Sequence, residues 1–538
     1  MALKNYTASA DTTIVNVFQP DLATRGTGAN MGAADVVEVF SIYGRVTTSS
    51  QELSRALIKF PTTKIAADRT AGTIPASGDV SFYLKMFNAE HSRTIPRDIT
   101  FMIRPISQDW EEGVGLDLET YADETKGSSG ANWMSASKNT AWTGSTLSSV
   151  SDVTNRSVGG SYLTSAGDPV FKVTLPSGLE DIDVDISSLV EKWIAGTINN
   201  YGVGIYLSSS LEASASSLAN TNDAAVLPLT GGAQTSYYTK RFFARGTQYF
   251  FKRPTIQARW DSTVKDSRGD VYFSSSLAPP ADNMNTLYFY NYIRGKLTNI
   301  PSLGTDNRVY ASIFSGSANN SAPSGSALVL SPDNSGYVRS AEPTVITGGL
   351  VTTGIYSASF ALTGTTSITT LYDVWFTGSD TMIATSSTTQ YFTGSFFPQV
   401  VNPAQTVSKP TYYLNVTNLR GKYRADETAR FNLYIRNKNW SPTIYTVANS
   451  TPDSTTIVSA SYRVFRTMDA YGAVPYGTGS DLHTHMSYDV SGNYFDFDMN
   501  LLEPGYEYAF KFAFYDSALN SWSEQPGAFK FRVEDYEY

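Results

Sequence analysis

Short bursts of alternating apolar and polar residues recur along most of this chain, and they predict an all-β protein. From Val80 to Met86, Val80, Phe82, Leu84 and Met86 fall on one face and Ser81, Tyr83 and Lys85 on the other. A strand buried on one side needs that period of two. Thr13–Phe18, Asp35–Tyr43, Arg55–Phe60, Ile99–Pro105, Val170–Leu175 and Val203–Leu207 read as further strands of the same region. Near the C-terminus, Phe431–Ile435 and Tyr494–Met499 alternate again.

One segment departs from this pattern. Between Ile186 and Gly196 the spacing is helical, with Leu189, Val190, Trp193 and Ile194 on one apolar face. Ser188 and Glu191 stand at capping-box spacing, which would satisfy two N–H groups at the helix start. Gly196 suits a left-handed stop. The spacing predicts a single short structural helix over Ser188–Ala195, with Trp193 packed on a sheet.

With 538 residues the chain is too long for one sandwich, and about three or four domains are expected. Residues 1–260 are expected to form the first sandwich, and 261–285, with Pro279 and Pro280, a connector. A second sandwich over 286–400 and a linker over 401–410, with Pro403 and Pro410, precede a third over 411–538. Such domains set in a row would make a rod with long sides. Thr120–Tyr162, rich in Ser, Gly, Asn and Thr, reads as a long surface insertion. Arg294-Gly295-Lys296 and Arg420-Gly421-Lys422 each follow an aromatic strand, which suggests one sandwich per copy. In the last region, Leu502-Glu503-Pro504-Gly505-Tyr506-Glu507-Tyr508 resembles the corner of fibronectin- and immunoglobulin-like domains. There a Tyr hydroxyl bonds back to the backbone, and Tyr508 is the candidate.

Composition narrows the function. Charged residues make up only 17%, and the net charge is −9. The densest basic stretch, Lys240 to Arg259, interleaves Lys240, Arg241, Arg245, Lys252, Arg253 and Arg259 with aromatics. It reads as sandwich strands with polar outer faces rather than as a nucleic-acid footprint. Cysteine is absent, which excludes disulfides, thiolate metal sites and cysteine catalysis. A cysteine-free β protein fits synthesis in a reducing cytosol. The N-terminal Met1–Tyr6 lacks a signal-like apolar run, and no window has the length of a membrane span.

Candidate chemistry is sparse. The histidines are His91, His483 and His485. His483 and His485, spaced to share a strand face and joined by Asp481, would suit a divalent ion, but a polar loop is the preferred reading. Carboxylates pair at Glu111-Glu112, at Asp117 and Glu119, and at Asp181, Asp183 and Asp185. A glycosidase needs two of them facing across a cleft, which sequence proximity does not supply. The three aspartates are read instead as flanking the helix start, with Ca²⁺ as the second choice. No serine elbow, P-loop or dinucleotide motif stands in the right context. Trp133, Trp142, Trp440 and Trp522 lie in polar stretches, where a core or interface role outweighs sugar stacking. No cofactor is expected, and no enzymatic activity.

One ordered set of motifs carries a resemblance. Ala10-Asp11-Thr12-Thr13-Ile14, Gly28-Ala29-Asn30-Met31-Gly32, Ser54-Arg55-Ala56-Leu57-Ile58-Lys59-Phe60 and Asp109-Trp110-Glu111-Glu112-Gly113 are followed by the helix ending in Trp193. Asn200-Tyr201-Gly202-Val203-Gly204-Ile205 completes the set. Over Ala10 to Trp260 this resembles the DNRLRE-type jelly-roll module. Members of that family are structural or adhesive sandwiches of cell surfaces and phage particles. The resemblance implies a jelly-roll-like N-terminal sandwich with one short helix, and the patterning of the later regions with the Tyr508 corner adds two immunoglobulin-like sandwiches to the expected architecture. As a whole the chain looks like the large structural proteins of tailed, marine myophage-like bacteriophages. The expectation is a virion protein of the head–tail neck or collar, or a capsid decoration, assembled in the host cytoplasm. Its partners would be capsid, portal or tail components, with several copies per particle and no nucleic acid or membrane. A carbohydrate-binding adhesin or receptor-binding appendage is the alternative.

Overall fold

The computed structural model describes residues 2–15, 30–42, 52–91, 97–116, 130–138, 140–143, 159–208, 210–214, 231–232, 237–276, 278–317, 323–331, 344–362, 368–379, 383–384, 388–400, 411–440, 454–517 and 519–535. Strands dominate, and the chain is all-β with two short α-helices among the described residues. The alternation at Val80–Met86 becomes a strand whose Phe82, Leu84 and Met86 are fully buried.

Two sheets face each other in the N-terminal part. One has the order Leu3–Thr7, Thr255–Trp260, Val80–Met86, Ile182–Asp185, so the first strand of the region pairs with its last. The other has the order Tyr237–Phe243, Val36–Ile42, Glu52–Lys59, Val203–Leu207, Ile99–Pro105, Phe171–Leu175, with Ala10–Val15 also paired to Glu52–Lys59. Side chains such as Phe82, Leu84, Phe101, Ile103, Ile205 and Phe242 fill the space between them. This is a jelly-roll-like sandwich.

The helices correct one expectation. Besides α2 (Ser187–Ile194), a second helix, α1 (Thr62–Thr70), follows Phe60-Pro61. Its pattern hides it, because Ile65 is its one buried residue. Pro61 at its start lacks the N–H that a first turn leaves unpaired.

The capping box at α2 is also corrected. Ser188 is an exposed second helical residue, and no side chain caps the helix from its N-cap position, Ile186. Asp185 takes that work: its Oδ1 accepts the Ser187 N–H at 2.8 Å and the Ser187 hydroxyl at 2.5 Å. Glu191 points instead to α1, where it binds Arg69 through both oxygens at 2.5 and 2.7 Å. Trp193 is buried in the core, and Gly196 closes the helix at φ 71°.

The Thr120–Tyr162 stretch is not a free insertion where it is described. Ala131, Trp133, Ala136, Trp142 and Tyr162 fold back onto Ile14, Leu53, Leu57 and Trp110 as a second core against the outer face of the sheet. Indole N–H donation pins two of these rings, Trp142 to the Asn132 carbonyl and Trp110 to the Tyr201 carbonyl, both at 2.8 Å. Small polar residues between the tryptophans make such a segment read as surface.

The middle sandwich has the order Met284–Tyr290, Ile355–Leu362, Ile346–Thr352, Val309–Gly316, Thr370–Phe376, Gln390–Phe396. Ile346–Thr352 serves both layers: its first half pairs with Val309–Ala311 and its second with Ile355–Ser357. Val271 and Phe273 belong to this core, and Tyr272 bridges Gln399 in parallel. Residues 261–285 are therefore partly packed into the sandwich, through isolated bridges, rather than a plain connector.

In the last sandwich, Tyr412–Val416, Thr428–Asn437, Gly492–Asp498 and Ser487–Asp489 form one sheet. Lys422–Arg424, Phe529–Glu534, Glu507–Asp516, Ala460–Arg466 and Gly472–Val474 form the other, with Ser521–Glu524 also on Glu507–Asp516. That is the A-B-E-D and C-F-G division of immunoglobulin sandwiches. The Tyr508 hydroxyl donates to the Glu503 carbonyl at 3.0 Å, the corner expected of this fold.

The Arg-Gly-Lys repeat dissolves. Arg294 and Gly295, at φ 52° and 77°, form the turn of a small hairpin, Tyr292–Ile293 with Lys296–Leu297. Arg420-Gly421-Lys422 leads into a strand that pairs in parallel with Phe529–Glu534. The three residues recur by coincidence.

Candidate functional site

Pairing in the fold draws distant charged residues together, and most of the candidate chemistry is consumed there. Glu112 holds Arg245 through both oxygens at 2.7 and 2.9 Å and accepts the Asp11 N–H at 2.8 Å. Asp11 in turn accepts the Arg245 N–H at 2.5 Å. Burial, opposed by that hydrogen bond and helped by the Glu112 charge, pushes the Asp11 carboxyl up to about 7. Asn30 ties the same corner: its Nδ2 donates to the Glu112 and Ala131 carbonyls, and its Oδ1 accepts from Gly32 and Gly115. A Cβ on Gly32 would stand 2.0 Å from the Glu112 carbonyl oxygen, so only glycine fits. Arg55, fully enclosed, donates to the Gly159 carbonyl at 2.9 Å and lies 3.4 Å from Glu212. The rings of Trp133, Tyr162 and Tyr206 surround its guanidinium.

The aspartates before α2 part company. Asp181 accepts the Asn88 N–H, Asp185 caps the helix, and Asp183 binds Arg259. Arg259 marks the joint between the first and last sandwiches. Its guanidinium lies 4.0 Å over the Tyr83 ring, 2.8 Å from Asp183 and 3.1 Å from Asp481. Asp481 also takes the ring of buried His483 at 2.8 Å. Burial acts to raise the Asp481 carboxyl, but His483 and Arg259 outweigh it and hold it below the usual range. Leu3 enters the core of the last sandwich, and Phe87 meets Tyr471. The first and last sandwiches thus touch directly, which departs from the expected row.

A second joint lies along residues 264–268. Val264 and Asp266 exchange backbone hydrogen bonds with Tyr488, extending a sheet of the last sandwich. Arg268 then crosses to the middle sandwich and grips Asp373 with two bonds of 2.7 Å. Asp373 is wholly buried and also accepts the Trp375 indole N–H at 2.6 Å.

The histidines do not form a metal site. His483 points inward, whereas His485 packs on the Trp522 ring at 5.6 Å, and neither lies on a regular strand. Among the described residues no group of three or more His, Cys, Asp or Glu side chains is placed to hold a metal ion. Asp117 and Glu119 lie outside the described residues. In the basic stretch, Lys240 is buried against the Gly178 and Glu180 carbonyls, Arg241 binds Glu38, and Arg245 and Arg259 are engaged as above. Arg253 donates twice to the Thr247 carbonyl, and Lys252 lies over the exposed Tyr249 ring.

Three open apolar surfaces stand out. One is that Tyr249–Arg253 knob. Another is the hairpin of the last sandwich, where Trp522 and Tyr515, exposed by 46% and 36%, tilt against each other at 5.6 Å. The third is the Gln390–Phe396 strand, with Phe392 and Phe397 exposed. Trp440 is half-buried under Arg436. Sequence reasoning missed the arginine joints because their partners lie far away along the chain. The polar patterning of each strand gave no hint of which charge would meet which.

No known family model matches the chain, and no curated protein matches its sequence. Among solved structures, a marsupial T cell receptor aligns with 50% of this chain and 72% of its own, at 11% identity and a TM-score of 0.16. The first two immunoglobulin domains of DIP-gamma align with 47% of this chain and 90% of their own, at 9% identity and a TM-score of 0.11. Overlays this loose carry no argument. The sandwich architecture stands on the strand order itself. No described helix is long and apolar enough to cross a membrane.

Proposed function

We propose that this chain is a structural protein of a bacteriophage virion, at the head–tail neck or collar or as a capsid decoration, acting by assembly rather than turnover. The observation that carries this reading is the use made of its charged groups. Glu112, Asp181, Asp183, Asp185 and Asp373 are each bound to an arginine, a backbone N–H or a helix start, and two of the arginines lock sandwich to sandwich. A general acid and base would instead face a shared opening. Open aromatic surfaces on a locked body suit protein partners, since aromatic residues are enriched at interface cores. In this reading the partners are capsid, portal or tail components, several copies join each particle, and the chain is assembled in the host cytoplasm. The DNRLRE-type resemblance and the absence of cysteine support the same reading. Antibody labelling of washed particles, followed by particle averaging, tests it: density at the neck or capsid surface is expected. A protein absent from washed particles, or one that hydrolyses a polysaccharide with turnover, overturns it.

A receptor-binding appendage is the second reading, favoured by one feature. Exposed Trp522 and Tyr515 stand beside His485, an arrangement on which a sugar ring could stack. Binding on a glycan array that Trp522→Ala abolishes would favour the appendage over the neck.

A further inference from the structure

The Gln390–Phe396 strand pairs with Thr370–Phe376 on one side and, among the described residues, with no strand on the other. Alternate residues of such an edge turn their N–H and C=O groups outward, which makes it a template for another strand. Other edges among the described strands carry protections. Leu3–Thr7 carries Lys4, Phe171–Leu175 carries Lys172, Ile182–Asp185 carries Asp183 and Asp185, and Tyr237–Phe243 carries Arg241. Met284–Tyr290 is uncharged, but the preceding segment covers it: the Ser267 hydroxyl accepts the Thr286 N–H, and Asn285 clamps the Tyr272 backbone. Tyr412–Val416 is uncharged but spans only five residues.

Among the described residues, Gln390–Phe396 has none of these protections. It runs seven residues without a charge or a proline, and no charged residue occurs anywhere from Thr381 to Ser408. Thr393 and Ser395 are exposed along it, and Phe397 and Val400 just beyond it are exposed by 58% and 52%.

We propose that this edge pairs antiparallel with the same strand of a second copy of the chain, joining two middle sandwiches into one continuous sheet. A two-fold axis lets identical strands satisfy each other's outward groups, and a strand without charge meets its own copy without repulsion. The charged edges would bring like charges face to face. Thr393, Gly394 and Ser395 keep the centre slim, so the backbones approach freely. Phe392, Phe397 and Val400 of both copies then add apolar area towards the ~1,000 Å² that a stable contact requires. This pairing holds whether or not the protein is part of a virion.

Sedimentation of the full chain across a concentration series tests it. The parent is expected to dimerise, and a Thr393→Lys, Ser395→Lys double variant to self-associate about ten-fold more weakly or worse, with an unchanged melting point at concentrations where both are monomeric. Mixing Ser395→Lys with Ser395→Asp protein should restore the dimer. Should the lysine variant misfold, Thr393→Cys in this cysteine-free chain gives a second measurement, since a short bis-maleimide should yield a covalent dimer. A parent that stays monomeric, a folded lysine variant that associates as tightly as the parent, or a cysteine variant that never cross-links overturns the proposal.

Discussion

Replacing Arg268 with methionine should destabilise the middle sandwich far more than a surface substitution would. Asp373 is completely buried and has three charge-assisted or indole donors, two from Arg268 at 2.7 Å and one from Trp375 at 2.6 Å. Methionine keeps an apolar stem but strips two of those donors, leaving a carboxylate in a dry core with one N–H. Breaking a buried pair by removing one partner costs about 3–5 kcal/mol. The lost stacking of Arg268 over the Phe392 ring, 5.3 Å away, adds about 0.5–1 kcal/mol at most. Desolvated charge therefore dominates the expected loss. The double variant Arg268→Met, Asp373→Leu removes the stranded carboxylate as well. It should recover most of the loss, leaving about 1–3 kcal/mol for the orphaned Trp375 N–H. Calorimetric melting of the four proteins gives the coupling between the two residues, expected at about 2 kcal/mol or more. If Arg268→Met costs under about 1 kcal/mol, or if the two substitutions simply add, the buried pair does not hold the joint.

Asp11→Asn tests the buried carboxyl at the Glu112 corner. Because the folded state raises Asp11 from 3.8 to about 7, its contribution is full below about pH 4 and is lost as pH rises through 7. The stability of the variant relative to the parent should therefore grow by about 2–3 kcal/mol between about pH 5 and pH 8 in urea titrations, and a flat difference would refute the shift. At α2, Ser188→Ala should change stability by less than about 0.5 kcal/mol whereas Asp185→Ala costs about 1 kcal/mol, and thermal melts that rank them the other way would restore the capping box. Tyr508→Phe removes the bond to the Glu503 carbonyl but keeps the ring, so a loss of about 1 kcal/mol is expected from the melting point of the last sandwich.

What the sequence discloses is what its local periods encode. The strand at Val80–Met86, the apolar face of α2 around Trp193 and the corner at Tyr508 each depend on residues within about one turn or one strand of each other. α1 escaped because one buried residue, Ile65, makes no pattern. The fold-back of Trp133 and Trp142 escaped because Asn132, beside Trp133, satisfies the Met134 and Ser135 N–H groups locally while the rings turn inward. Arg55, Arg245, Arg259 and Arg268 read as solvated charges on alternating strands. Their partners Glu212, Glu112, Asp183 and Asp373 lie some 76 to 157 residues away, a separation no local period reports.

The choice of arginine at the joints itself bears on function. Arg259 and Arg268 flank the short segment that leaves the first sandwich, and each is held by carboxylates, Arg259 by Asp183 and Asp481 and Arg268 by Asp373. Apolar side chains of similar size would give comparable stability, because desolvating an ion pair costs about as much as the pair returns. What a guanidinium adds is direction: its planar fork accepts only carboxylates lying in its plane, so a bidentate grip fixes an angle as well as a distance. At Arg268 that two-bond grip reaches from the segment docked on Tyr488 to the middle sandwich, and at Arg259 a single bond to Asp481 reaches from the first sandwich to the last. A binding module working alone has no use for fixed angles between its domains. The assembly proposed above does, since it would present the Gln390–Phe396 edge and two aromatic surfaces to neighbours at set positions.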